Sequence, residues 1–193
     1  MNFIAIETST NICSVSLFVN SQLKNILYQE TKEHSKYLPV FVKKMLINNL
    51  NLDYIALSVG PGSFTGLKIA TSFSKGLAAA LQIPIIPINT FDGIRYHIKN
   101  IEHYYIAIYS HRNYAFSCLY NNKLENTNYK CIEINKLRDY QIYGYGFPNH
   151  CEIEYQEIKP SSEKIGLISL KKYSSFKNKS IDNINPIYLM LEK

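Results

Sequence analysis

Residues 57–81 read Leu57-Ser58-Val59-Gly60-Pro61-Gly62-Ser63-Phe64-Thr65-Gly66-Leu67, then KIATSFSKGLAAAL. The run just upstream, 53–59 (DYIALSV), is apolar and bounded by turn residues, so it predicts a strand. From Phe64 the apolar positions recur at helical spacing, which predicts a helix over 64–81. The seven residues GPGSFTG at 60–66 join the two. Glycines at 60 and 62 permit tight backbone angles and close approach to the main chain. Unpaired N–H groups at the helix start favour an anion. On these residues alone two readings stand: a phosphate or nucleotide cradle, or only a sharp strand-to-helix turn. No GK[ST] follows, so this is not the Walker pattern.

Working outward, residues 2–7 (NFIAIE), 12–19 and 22–29 predict three strands joined by tight polar turns. A helix is expected from about Ser35, a suitable N-cap, to Asn48, with Pro39 tolerated in its first turns. Residues 84–88 predict a short strand and about 89–99 a third helix. This βββαβα order requires a mixed sheet covered by helices. The second half changes texture. Strands are expected at 104–109, 114–120 and 128–134, and a helix at 163–174. The lobe boundary is placed near residue 100, giving lobes 1–100 and 101–193. No repeat stands out residue by residue. The C-terminal NPIYLMLEK is apolar enough to dock back on the body.

The 193 residues suit one medium domain or two small lobes, and 46% hydrophobic with 19% charged excludes a disordered chain. The net charge of +6 invites a nucleic-acid partner. The composition argues otherwise, because Lys dominates and Arg, the better phosphate and base reader, occurs only at 95, 112 and 138. Counted by halves the charge is diffuse, and no run of five like charges occurs. Lys171, Lys172, Lys177 and Lys179 form the densest cluster, which a solvated helix end explains. Cys13, Cys118, Cys131 and Cys151 are far apart and read as reduced, buried thiols of a cytosolic protein. The N-terminal run reads as a strand rather than a signal peptide, and no apolar run reaches 18 residues.

Two helix faces stand out. Gly66, Ala70, Ser74 and Ala78 recur every four residues, flanked by Leu67, Phe73 and Leu77. Such a row lets another helix approach closely, inside the chain or across an interface. The first helix is apolar nearly all round through Leu38, Val40, Phe41, Val42, Met45, Leu46 and Ile47, so it needs two covers. Glu7, Thr8 and Ser9 place an acid beside hydroxyls at a strand end. That set suits water-bridged Mg²⁺ and phosphate, or simple turn chemistry. His34, His97, His103, His111 and His150 contain no HxxxH or HExxH pair, and neither Ser58 nor Ser63 sits in a GxSxG elbow. Glu33-His34-Ser35 reads as helix-entry chemistry rather than a metal site.

Three stretches together, IAIETSTNICSVSL, EHSKYLPV and LSVGPGSFTGLKIATSFSKGLAAAL, resemble the TsaB (YeaZ) family over about residues 3–98. These are small relatives of the TsaD/Kae1 (glycoprotease, peptidase M22-like) proteins. The resemblance implies an α/β, two-lobed ASKHA fold (actin, hexokinase and Hsp70-like) with mixed sheets and a reduced second lobe. It also implies a non-catalytic, cytoplasmic, cofactor-free subunit of the machinery that places threonylcarbamoyl on adenosine 37 of tRNA. The implied partners are a TsaD homologue, a second copy when alone, and the ATPase TsaE in the larger complex. Transfer RNA would be met only through the complex, and no membrane is involved. The two first-lobe helices would form the interface through Leu38, Phe41, Val42, Met45, Gly66, Leu67, Ala70, Phe73, Ser74, Leu77 and Ala78. Glu7, Thr8, Ser9, Gly60, Gly62 and Ser63 would form a vestigial nucleotide or phosphate site. No residue is expected to be catalytic or to bind metal.

Departures from the family pattern are Glu7 for Asp, Lys68 and Ala70 for Arg and Gly, Tyr109-Ser110-His111-Arg112 for an Asp-Ala-Arg-like motif, and Met190 for Arg. They weigh against nucleotide binding and leave pairing intact. The alternative is an autonomous ASKHA-type ATP-dependent kinase or ATPase. A peptidase rests on the family name alone.

Overall fold

The computed structural model describes residues 1–46, 50–96, 98, 103–121 and 128–190. Strands β1 (Phe3–Glu7), β2 (Ile12–Val19) and β3 (Gln22–Glu30) form the expected antiparallel meander. Helix α1 (His34–Met45) then carries the chain to β4 (Tyr54–Ser58), which pairs in parallel with β1. Helix α2 (Phe64–Leu81) carries it on to β5 (Ile85–Ile88), parallel to β4. The order is β3-β2-β1-β4-β5. The antiparallel pairs need only tight turns, whereas the parallel pairs need crossovers.

All five residues of β1 and of β4 are buried, so this sheet is covered on both faces. Ile4, Ile6, Ile55 and Leu57 face α1 and α2, while Phe3, Ala5, Tyr54 and Ala56 face the other way. That second face is covered by α4 (Ser162–Phe176), which comes from the far end of the sequence. Phe3 stacks between Phe18 and Tyr54, with ring centroids 4.5 and 4.2 Å away. Gly166 lies where a side chain would collide with the Phe18 ring. Polar contacts fix the register of α4: Ser16 to Ser162 at 2.6 Å, and Tyr54 to Ser169 at 2.9 Å.

After α3 (Thr90–Arg95) the chain builds a second sheet. Strands β6 (His103–His111), β7 (Tyr114–Asn121) and β8 (Lys130–Glu133) form another antiparallel meander. Strand β9 (Gln141–Tyr145) then pairs in parallel with β6, and β10 (Gln156–Glu157) with β9. The order β10-β9-β6-β7-β8 repeats the topology of the first sheet without a repeat in sequence. The α-helical crossovers of the first sheet are here replaced by 3-10 turns at Ile134–Leu137 and Asn149–Cys151. The expected α/β architecture with two mixed sheets is therefore present, the second sheet without helical crossovers.

Several boundaries differ from expectation. Ser35 is inside α1 rather than at its N-cap; Glu33 occupies that position with no side-chain bond. Residues 47 and 48 of the expected helix, Ile47 among them, lie outside the described residues, as do His97 and residue 99. Strand β9 was not expected. Its Gly144 has no room for a side chain, because a Cβ there would collide with the Ala107 backbone. Among the described residues no helix is long and apolar enough to cross a membrane.

Candidate functional site

The turn after β1 and the loop before α2 are packed into each other. Ser63 N–H donates to the Ser9 carbonyl at 2.7 Å, and Thr8 Oγ1 donates to the Gly66 carbonyl at 2.9 Å. A Cβ on Gly62 would overlap Ser9, and one on Gly66 would overlap the Thr8 carbonyl oxygen. The absence of side chains at 62 and 66 is thus used by the chain's own backbone. Gly60, at φ +97, turns the chain there; its carbonyl accepts from Thr90 N–H at 2.8 Å. Ser63 caps α2, accepting from Gly66 N–H at 3.3 Å. Ile187 N–H donates to the Val59 carbonyl at 2.7 Å, and the Tyr188 ring meets Phe64 at 4.7 Å, so the C-terminal segment docks beside this loop as expected.

Glu7 is fully buried, and its Oε1 accepts from Ser9 N–H at 2.5 Å. Burial raises its carboxyl pKa, and the Ser9 and Thr8 backbone N–H groups offset part of that rise. Glu7 Oε2 and Ser9 Oγ have no hydrogen-bond partner. Desolvation, and then the charge of Glu7, push the neighbouring Cys13 thiol up to about 12, which keeps it protonated and unreactive. His34, the first residue of α1, is buried against Gly66 and has an unpartnered Nδ1. Burial lowers its pKa, with the Thr10 backbone opposing. The sequence reading assigned His34 only to helix entry. The close Gly66 contact behind that burial is a long-range one, which local spacing does not reveal.

A cleft of about 1090 Å³ opens between the two sheets. One wall is Ser9, Thr10, His34, Ser63 and Thr65; the other is Ile108, Tyr109, Ser110, His111 and Gly146. Of the six residues expected at a vestigial phosphate site, Ser9 and Ser63 line this cleft, while Glu7, Thr8, Gly60 and Gly62 lie behind it. Glu7, Ser9 and Ser63 are linked by hydrogen bonds and Gly62 packs on Ser9, whereas Thr8 bonds to Gly66 and Gly60 to Thr90. Among the described residues no three His, Cys, Asp or Glu side chains gather closely enough to hold a metal ion.

The helices show a second surface. Leu38, Phe41, Val42 and Met45 of α1 are buried, as are Gly66, Leu67, Ala70, Ser74 and Ala78 of α2. Phe73 and Leu77 are half-buried against the same core. The row spaced by four therefore packs inside the chain. The outward face of α2 carries a different small-residue row, Thr65, Ser72, Gly76, Ala79 and Ala80, all exposed. A Cβ on Gly76 would meet nothing within 4 Å. Beside it Phe64 is 58% exposed, and Val40 on α1 is 46% exposed.

Residues 23–154 match the family described as TsaD, tRNA N6-adenosine threonylcarbamoyltransferase. The tRNA threonylcarbamoyladenosine biosynthesis protein TsaB of Buchnera aphidicola subsp. Schizaphis graminum is 38% identical over 92 residues, 45% of this chain and 43% of that protein. The protein of the same name from Escherichia coli is 30% identical over 94 residues, 47% of this chain and 41% of its own length. The matched stretch thus spans less than half the length of these curated relatives. YeaZ from Pseudomonas aeruginosa has the same fold throughout: TM-score 0.78 at 20% identity, covering 97% of this chain and 99% of that one. The chain belongs to the TsaD-type family, with TsaB and YeaZ proteins among its relatives.

Proposed function

We propose that this chain is a non-catalytic subunit of the machinery that makes threonylcarbamoyladenosine in tRNA, working in the cytoplasm. It pairs with a TsaD-type transferase through the outward face of α1 and α2, and with a second copy when alone. An ATPase of the TsaE type joins the larger complex. Support for the pathway comes from the TsaB proteins that just under half of the chain resembles.

The observation that carries the pairing role is Gly76. Mid-helix glycine costs ~1 kcal/mol relative to alanine. Among the described residues nothing uses the space it leaves, in contrast to Gly62 and Gly66. A partner helix lying along Thr65, Ser72, Gly76 and Ala80 would use it, because small residues let backbones come together. Support for the non-catalytic reading comes from the glycine loop, whose open positions are filled by Thr8 and Ser9 backbone. Removing the gene and measuring modified adenosine in total tRNA by mass spectrometry tests the pathway. Loss of the modification, restored by the wild-type gene, is expected; unchanged modification would overturn the assignment.

A second reading, an ASKHA-type ATPase, is favoured by one feature. The cleft is roomy, and Ser9 Oγ and His34 Nδ1 beside it have no partner. Calorimetric titration with Mg-ATP separates the two. The subunit reading expects no heat from the isolated chain, whereas micromolar binding would revive the enzyme.

A further inference from the structure

The net charge of the chain is not spread evenly over the fold. There are 21 Lys and Arg against 15 Asp and Glu in the whole sequence. Helices α1 and α2 hold Lys36, Lys43, Lys44, Lys68 and Lys75 and no carboxylate. The rest of the chain then has sixteen basic and fifteen acidic side chains, which is close to neutral. Nearly all of the +6 excess therefore sits on these two helices. Counting by sequence halves hides this, because the lysines are interleaved with apolar residues and come together only when the helices pack.

Lys68 shares the exposed face of α2 with the small-residue row, and Lys36, Lys43 and Lys44 lie on the exposed face of α1. Lys36, Lys43, Lys44 and Lys68 are exposed, and Lys75 is half-buried, donating to the Asp182 carbonyl at 3.1 Å. Among the described residues Lys43 and Lys44 make no salt bridge, and Lys68 has only the Phe64 ring, 5.8 Å from its Nζ. Among the described residues two acids are near: Glu33 at the α1 N-cap, paired with Lys36 at 3.5 Å, and Asp182, whose carbonyl accepts from Lys75.

We propose that this basic rim ranks the partners of the α1–α2 face: it favours a protein surface with an apolar centre and an acidic rim, and it makes pairing with a second copy of this chain the weaker alternative at low salt. The inference rests on the pairing face proposed above. In a two-fold dimer the same patch meets itself. Four exposed lysines from each copy would then meet, with no carboxylate on either helix pair. Like charges across an interface are costly, and opposite ones speed and specify association. The rim leaves the small-residue row open to any helix by shape and restricts it by charge. Self-pairing therefore belongs to high salt, where the repulsion is screened over ~3–10 Å.

The test uses the full chain and the TsaD-type transferase encoded in the same genome. Dissociation constants are measured by calorimetry at about 50 and about 500 mM NaCl, and self-association by analytical ultracentrifugation in the same buffers. The triple variant K43E/K44E/K68E should bind the transferase at least ~10-fold more weakly at low salt, with the gap closing at high salt. The conservative K43Q/K44Q/K68Q should fall between. Wild-type chain should self-associate more tightly at high salt than at low, and a mixture of wild-type and charge-reversed chain should pair at low salt.

Equal transferase affinity for wild type and triple variant, or wild-type self-association strongest at low salt, would overturn the proposal. So would these lysines binding tRNA in the isolated chain while leaving the transferase affinity unchanged. Gly76→Trp separates this from the reading beneath it. If G76W pairs normally, the face itself is wrong. If G76W fails to pair but charge reversal has no effect, only the charge rule is wrong.

Discussion

A methyl group at Gly62 or Gly66 would run into the backbone of Ser9 or Thr8, whereas one at Gly76 would meet only solvent. The three glycines therefore answer the same substitution with opposite signs. Gly66→Ala forces backbone against backbone and should destabilise the chain by ~1–3 kcal/mol in urea unfolding. Gly76→Ala should stabilise it by ~1 kcal/mol through helix propensity. Titratable residues add a pH signature. Burial holds the His34 pKa below the ordinary histidine value of 6.5. Its unfolded state thus binds a proton more readily than the folded state, and stability falls as pH drops below about 6.5. Glu7 is raised above 4.5, so its contribution is present in acid and is lost as pH rises from there towards the folded pKa. His34→Gln should flatten the decline on acidification, and Glu7→Gln the decline on the way up, in denaturation midpoints followed from pH 4 to pH 8. Midpoints that keep the wild-type pH slope in both variants would contradict these assignments.

Among the elements, α2 was fully legible, ends included, because Ser63 caps it and its buried face repeats at helical spacing. Which face of α2 turned inward was not legible. Two small-residue rows run along this helix, Gly66-Ala70-Ser74-Ala78 and Thr65-Ser72-Gly76-Ala80, and spacing does not say which one the sheet takes. Strand β9 was hidden for a related reason: Gly144 reads as a breaker unless the Ala107 backbone beside it is known. The position of α4 was also out of reach. A helix at 163–174 could be read locally, but not that it would cover a sheet formed by residues 3–88. Ile165 anchors it, fully buried among Phe3, Ala5 and Ile86. Ile165→Ala should therefore cost ~2–5 kcal/mol, as a core truncation does, and should loosen the first sheet, read as faster hydrogen exchange in β1 and β4. Exchange confined to α4 would show that the helix is an appendage.

At the scale of the molecule, the motif at 60–66 was recognisable before its use was. As residue types it allowed a cradle for phosphate or a tight turn. In the fold its glycines receive the first turn of the chain, and only Ser9 and Ser63 of the expected phosphate residues reach the cleft. The two sheets share one topology, yet the second has lost its crossover helices, so the helices available for pairing are concentrated on the first. The same helices hold nearly all of the excess charge. Shape, glycine use and charge thus all bear on the outward face of α1 and α2, the pairing surface proposed above. The most direct measurement is calorimetric titration of the chain and of its G76W variant into the TsaD-type transferase, with melting temperatures recorded for both. A one-to-one complex with the wild type and none with an equally stable G76W is predicted. Equal binding by both, or no complex with the wild type, would contradict it.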